Sequence, residues 1–160
     1  MTTPRLRAGH AAAPLALAMW LGAAVLVAAV VAPAAFRVLP TRTLAGALVG
    51  QVLPVLFIAG IAVGVLAHLF DTLAGKRASW VARVGGAALV LGCAGAQFGV
   101  GARIEALRRD LPAPIETLAA TDPQRIAFGR LHGISVLLLG VAGLGAAATM
   151  IASIRAERRG

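Results

Sequence analysis

A chain of 160 residues is about one domain long. It is 59% apolar and only 13% charged, with a mean hydropathy of +0.88, whereas soluble globular domains are about half apolar and about a quarter charged. So few charged side chains cannot cover a water-facing surface, which excludes a soluble globular domain, and the same composition excludes a disordered chain, a collagen repeat and a disulfide scaffold.

The formal net charge is +9, from 15 Lys and Arg against 6 Asp and Glu. These bases flank apolar runs, as topology signals and headgroup contacts do, so nucleic acid is not the expected partner. The lipid bilayer is. Cys93 is the only cysteine and cannot form an intrachain disulfide. Set among Gly and Ala, it is expected to pack as a small apolar side chain.

In chain order, four charge-free stretches occur: Ala11–Phe36, Thr43–Phe70, Val84–Ala102 and Leu131–Ile154. Each meets or nearly meets the ~20 residues needed to cross the hydrocarbon layer. In lipid the backbone must satisfy its own hydrogen bonds, so these stretches predict helices. Arg5 and Arg7 before the first stretch, and Ala32-Pro33-Ala34 near its end, resemble a signal peptide. The apolar run is longer than an ordinary signal core, and the stretch reads as a retained span. Trp20 is expected to anchor it at the interface.

Pro40 and Thr41 give a tight turn into the second span, where Pro54 frees a carbonyl one turn back and is expected to kink the helix. Gly75 is a candidate C-terminal cap, followed by Lys76 and Arg77. Ser79 is a candidate N-cap for the third helix, with Trp80 as interfacial anchor. That helix is predicted to continue through Arg109 and to end before Pro112 and Pro114. Asp122-Pro123 reads as N-cap and first residue of the fourth helix.

The predicted fold is therefore all-α: an integral membrane four-helix bundle, antiparallel up-down-up-down, with both termini on one face. One domain over residues 14–155 contains spans at about 14–36, 43–73, 80–109 and 123–155, between an N-terminal tail of residues 1–13 and a C-terminal tail of residues 156–160. The bases divide almost evenly between the faces, eight on the face of the termini and seven opposite. The expectation is a bacterial inner membrane with cytoplasmic termini. Gly46 with Gly50, Gly60 with Gly64, Gly95 with Gly99 and Gly129 with Gly133 have the spacing of close helix contacts. Such contacts serve packing within the bundle, a homo-oligomer or a larger membrane complex.

Polar residues inside a membrane are the functional pointers in such a chain. Counted from the span ends, Gln51, Gln97, His132 and Ser135 fall at one depth, near the face opposite the termini, with Arg37, Arg103 and Arg130 at its rim. One reading is a polar cavity for a small polar or anionic solute, or for a lipid headgroup. The other is a hydrogen-bonded plug locking the bundle, in which Glu105 pairs with Arg130 or Arg37. His68 and Asp71, three apart, share a helical face near the opposite end. His68 and His132 lie near opposite faces and cannot share one haem iron within a monomer, and His10 lies in the tail. No Cys/His/Met cluster has metal-ligand spacing, and no nucleophile–base pair, P-loop or dinucleotide fingerprint is present.

Trp20-Leu21-Gly22, Phe36-Arg37-Val38-Leu39-Pro40, Gln51-Val52-Leu53-Pro54-Val55-Leu56-Phe57, Gly101-Ala102-Arg103 with Leu107-Arg108, and Phe128-Gly129-Arg130-Leu131-His132-Gly133-Ile134-Ser135 together resemble the transmembrane-protein-205-like family. This is a family of unknown function, and the chain departs from its pattern at Leu53 and Gly101. The resemblance implies a four-helix membrane protein without established activity, and marks Arg37, Pro40, Pro54, Arg130, His132 and Ser135 as motif positions. The fold is also similar to small membrane families that handle copper or haem.

The expected function is a membrane protein without a catalytic residue set, binding a solute or headgroup at the polar level or serving as an accessory subunit of an assembly. No cofactor is predicted. The alternatives are a haem- or copper-handling redox protein using His132 or His68, and a purely structural membrane component.

Overall fold

The computed structural model describes residues 4–73, 79–111 and 114–157, with side chains over 12–72, 79–111 and 114–156. Gly75, Lys76, Arg77, Pro112, Arg158 and Arg159 lie outside the described residues, as do the side chains of Arg5, Arg7 and His10.

The described chain is all-α, and four helices are long and apolar enough to cross a bilayer. They are the first span Ala12–Val38, the second Arg42–Thr72, the third Trp80–Arg109 and the fourth Pro123–Ala156. The first helix already begins at Pro4, within the stretch expected to be a tail. Each span corresponds to one of the charge-free stretches. Their outer surfaces are apolar: Leu137 and Leu144 are 70% and 75% exposed. In water such a surface would aggregate, whereas in a bilayer it faces hydrocarbon.

Local sequence sets the helix ends. Ser79 caps the third span, its hydroxyl oxygen accepting from the Ala82 N–H at 3.2 Å. Asp122 caps the fourth, accepting from the Gln124 N–H at 2.8 Å, with Pro123 as first helical residue. Thr41, after the bend at Leu39 and Pro40, accepts from the Leu44 N–H at 3.2 Å. The third span ends at Arg109, where the Asp110 N–H bonds to the Ala106 carbonyl. The second helix is continuous from Arg42 to Leu73 with Pro54 inside it.

Two stretches widen into π-helix. Val27–Val31 lies immediately before Ala32-Pro33. The Pro33 ring would clash with the carbonyl four residues back in a regular helix, and the wider turn relieves that clash. Gly95–Gly101 carries three glycines, which lower the resistance to such a turn. Each extra residue rotates everything beyond it by roughly 100° relative to a regular 3.6-residue helix.

Consecutive spans are neighbours, and the first also packs on the fourth, so first and third, and second and fourth, are diagonal. The tightest crossing joins third and fourth. A Cβ at Gly85 would stand 2.6 Å from both the Gly145 carbonyl oxygen and Thr149 Oγ1, and one at Gly145 would stand 2.5 Å from the Gly85 carbonyl oxygen. Gly92 repeats this against the Leu138 carbonyl oxygen at 2.9 Å. Thr149, buried there, donates to the Gly145 carbonyl at 2.8 Å.

Trp20 is not an interfacial anchor. It is 4% exposed in the core, and its indole Nε1 donates to the Leu56 carbonyl at 2.8 Å. The reason is Gly60, whose missing side chain leaves room for both the indole and Cys93 Sγ. A Cβ there would lie 2.8 Å from the ring and 2.6 Å from the sulfur. Cys93 is fully buried and packs as a small apolar side chain. Trp80 is 77% exposed, as an interfacial anchor requires. Of the glycine pairs read from spacing, Gly60 and Gly64 pack against neighbouring spans. Gly99, Gly129 and Gly133 have nothing within 4 Å to meet an added Cβ.

Candidate functional site at the connector end

The connector between the third and fourth spans marks one end of the bundle. It leaves Arg109, forms a 3-10 turn at Ile115–Thr117 and enters the fourth helix at Asp122. Arg125 Nη1 donates back to the Leu118 carbonyl at 2.7 Å, and Thr117 Oγ1 to the Pro114 carbonyl at 2.7 Å, so its backbone is tied locally.

Glu116 fastens this connector to the second span. One carboxylate oxygen, Oε1, accepts from the Thr43 N–H at 3.1 Å and also from the Thr43 hydroxyl. The other, Oε2, is shielded from solvent and has no hydrogen-bond partner. The Thr43 hydroxyl, the backbone N–H groups of Glu116 and Thr43, and the charge of Arg42 hold the Glu116 carboxyl below its ordinary value, against a smaller opposing effect of burial. A carboxylate lowered in the folded state stabilises it above the unfolded value, and that contribution is lost as pH falls through the folded value. Amide exchange across residues 114–118 is therefore expected to accelerate as pH is lowered through the carboxylate range, after correction for intrinsic rates. In Glu116→Gln this acid-induced step should disappear. Persistence of the step in Glu116→Gln would show that another group controls the connector.

Arg108 occupies a glycine notch on the same strip of the second span. Positions 43, 46 and 50 follow one another at helical spacing. A Cβ at Gly46 would lie 3.4 Å from Arg108 Nη2, and one at Gly50 would lie 3.3 Å from Nη1. The guanidinium also sits 5.5 Å from the Phe128 ring centroid, within cation–π range. Arg108 thus links the third span to the second and fourth. Sequence reading missed Arg108, Phe128, Thr43 and Glu116 as a group. The Gly46/Gly50 spacing was the only signal of a notch, and nothing in that spacing says that a guanidinium fills it.

The residues expected at one level have the following exposures. Gln51 and His132 are exposed, on the diagonal second and fourth spans. Arg37, Arg103 and Arg130 are exposed, and Gln97 and Ser135 are half-buried. Among the described residues no hydrogen bond joins Gln51, Gln97, His132 and Ser135, and Glu105 forms no ion pair with Arg37 or Arg130. Depth along a span is readable from the sequence, whereas the face of the helix is not. Gln97 lies inside the Gly95–Gly101 π-helix, where regular 3.6-residue counting fails. His68 is exposed and Asp71 half-buried. Among the described residues no group of three or more His, Cys, Asp or Glu side chains is placed to hold a metal ion.

Pro40 forms the bend between first and second spans, and Pro54 lies half-buried within the second. The family model described as "Domain of unknown function (DUF4149)" matches residues 15–112. No curated protein and no solved structure matches the chain.

Proposed function

The chain belongs to the DUF4149 family, a domain of unknown function, and we propose that it is a non-catalytic subunit of a membrane assembly. The observation that carries this reading is the exposure of Gln51, nine residues inside its span, together with that of His132, two residues inside the level of Arg130. A polar side chain inside a membrane normally turns toward protein or water, and one on the outside of a bundle calls for a partner helix. Gly129 and Gly133, flanking His132, have nothing within 4 Å of an added Cβ and leave room for a close backbone approach. Because Gln51 and His132 lie on diagonal spans, a contact between them joins two copies and not two helices of one copy.

Arg37, Arg103 and Arg130 take the phosphate groups of surrounding lipid on this reading, each contributing about 1 kcal/mol near an anionic surface. Gln97 and Ser135 line the half-buried inner side of the same level. The up-down-up-down order with both termini on one face is the arrangement that the Gly85–Gly145, Gly60–Cys93 and Trp20–Leu56 pairings support. A bacterial inner membrane with cytoplasmic termini belongs to the same proposal. So does closer kinship with transmembrane-protein-205-like proteins, which rests on the Phe128–Ser135 string.

The test is the mass of the full chain in lipid nanodiscs. The wild type is expected as a dimer or larger species. His132→Leu should weaken association about threefold, the factor given by a typical intramembrane hydrogen bond of ~0.6 kcal/mol. Gly133→Leu should weaken it further by blocking the approach. A wild type that is monomeric at every protein-to-lipid ratio contradicts self-association. An association unchanged in both variants removes the role of this face.

A further inference from the structure

At the opposite end of the bundle, a groove of about 460 Å³ runs between the start of the third span and the end of the fourth. Its walls include Ser79 and Val81 from the third span, and Ala148, Ile151, Ala152 and Arg155 from the fourth. We propose that this groove binds one acyl chain of an anionic phospholipid from the surrounding bilayer, with the headgroup phosphate against Arg155.

The polarity of the groove is graded along its length. Arg155 lies at the outer end, beside the capping residue of the third span, and Ala148 lies seven residues deeper in the fourth. At 1.5 Å per residue this is roughly 10 Å along the axis. A cation at the membrane boundary, followed inward by small and branched apolar side chains, is the order of groups that a phospholipid presents: phosphate, then hydrocarbon. Trp80, exposed next to Ser79, marks the same boundary as the interface, where tryptophans of membrane proteins concentrate. Ala148 and Ala152, one turn apart, supply the space. A larger residue at either position would fill it.

This inference is independent of the assembly proposal, since the groove lies at the other end of the spans and contains none of its residues. The full-length chain is purified in detergent and mixed with equal amounts of dioleoyl-phosphatidylglycerol and dioleoyl-phosphatidylcholine, and bound lipid is read by native mass spectrometry. The wild type should retain phosphatidylglycerol in preference to phosphatidylcholine. Arg155→Gln should reduce that preference about fivefold, which corresponds to ~1 kcal/mol for one base near an anionic headgroup. Ala152→Phe should reduce retention of both lipids. Should Ala152→Phe fail to fold by circular dichroism, Ala148→Leu makes the same test with a smaller filling. Unchanged retention in the folded filling variant overturns the acyl site. An unchanged lipid ratio in Arg155→Gln overturns the headgroup contact.

Discussion

Gly145→Ala is expected to destabilise the bundle by about 1–3 kcal/mol, the usual cost of overpacking a tight contact. In an ordinary helix the same change stabilises by up to about 1 kcal/mol, because alanine has the better helix propensity. Here the added methyl carbon would stand 2.5 Å from the Gly85 carbonyl oxygen and 2.9 Å from the Leu89 amide nitrogen. Both are backbone atoms and cannot rotate away, so the third and fourth spans must separate. Gly85→Leu meets the same obstacle with a larger side chain and should cost more. Gly140→Ala on the same helix has nothing within 4 Å and is the control, expected to be neutral or mildly stabilising. Thermal unfolding in detergent, followed by circular dichroism, measures all three. Equal melting temperatures for Gly145→Ala and Gly140→Ala would contradict the crossing geometry.

Trp20→Ala is expected to cost about 3–5 kcal/mol, the range for large aromatic truncations in a packed core. The indole fills the space over Gly60 between the first, second and third spans and donates to the Leu56 carbonyl. Trp20→Phe keeps most of the volume and removes the donor, so it should cost only about 1 kcal/mol. The chain has two tryptophans, so emission from the Trp80→Phe background reports Trp20 alone. It should be blue-shifted and shielded from aqueous quenchers. An interfacial Trp20 would instead show small losses for both substitutions and ready quenching.

What could be read from the sequence depended on whether the signal was local. The four charge-free stretches located the spans, and Ser79, Asp122 and Arg109 located helix ends, because caps and charges act within one or two turns of themselves. Cys93 among Gly and Ala pointed correctly to a packed small residue. Rotation about each helix axis was not legible. The spans are apolar on every side, so hydrophobic periodicity says little about which face is inward. The π-helices at Val27–Val31 and Gly95–Gly101 then reset the count for everything beyond them.

Consequently Gln51, Gln97, His132 and Ser135 could be assigned a common depth, while which of them face one another could not be read. The same loss of phase hid Trp20, whose place follows from Gly60, forty residues away in the chain. Gly85, Gly92 and Gly145 make the closest approaches to the backbone of a neighbouring span, yet Gly85 and Gly92 are seven apart and lack the four-residue spacing of Gly60 and Gly64. The Thr43–Glu116 tether joins residues 73 positions apart, and neither residue by itself carries a recognisable motif.

The outward polar face is tested most directly by cross-linking in the membrane. In a Cys93→Ser background, the double variant Gln51→Cys/His132→Cys is treated with a short bis-maleimide in intact membranes. Contact of Gln51 in one copy with His132 in another predicts products heavier than the single chain for the double variant, and none for Met19→Cys, an exposed position on the first span. Only single chains from the double variant, with the introduced thiols open to a lipid-soluble maleimide, would contradict it.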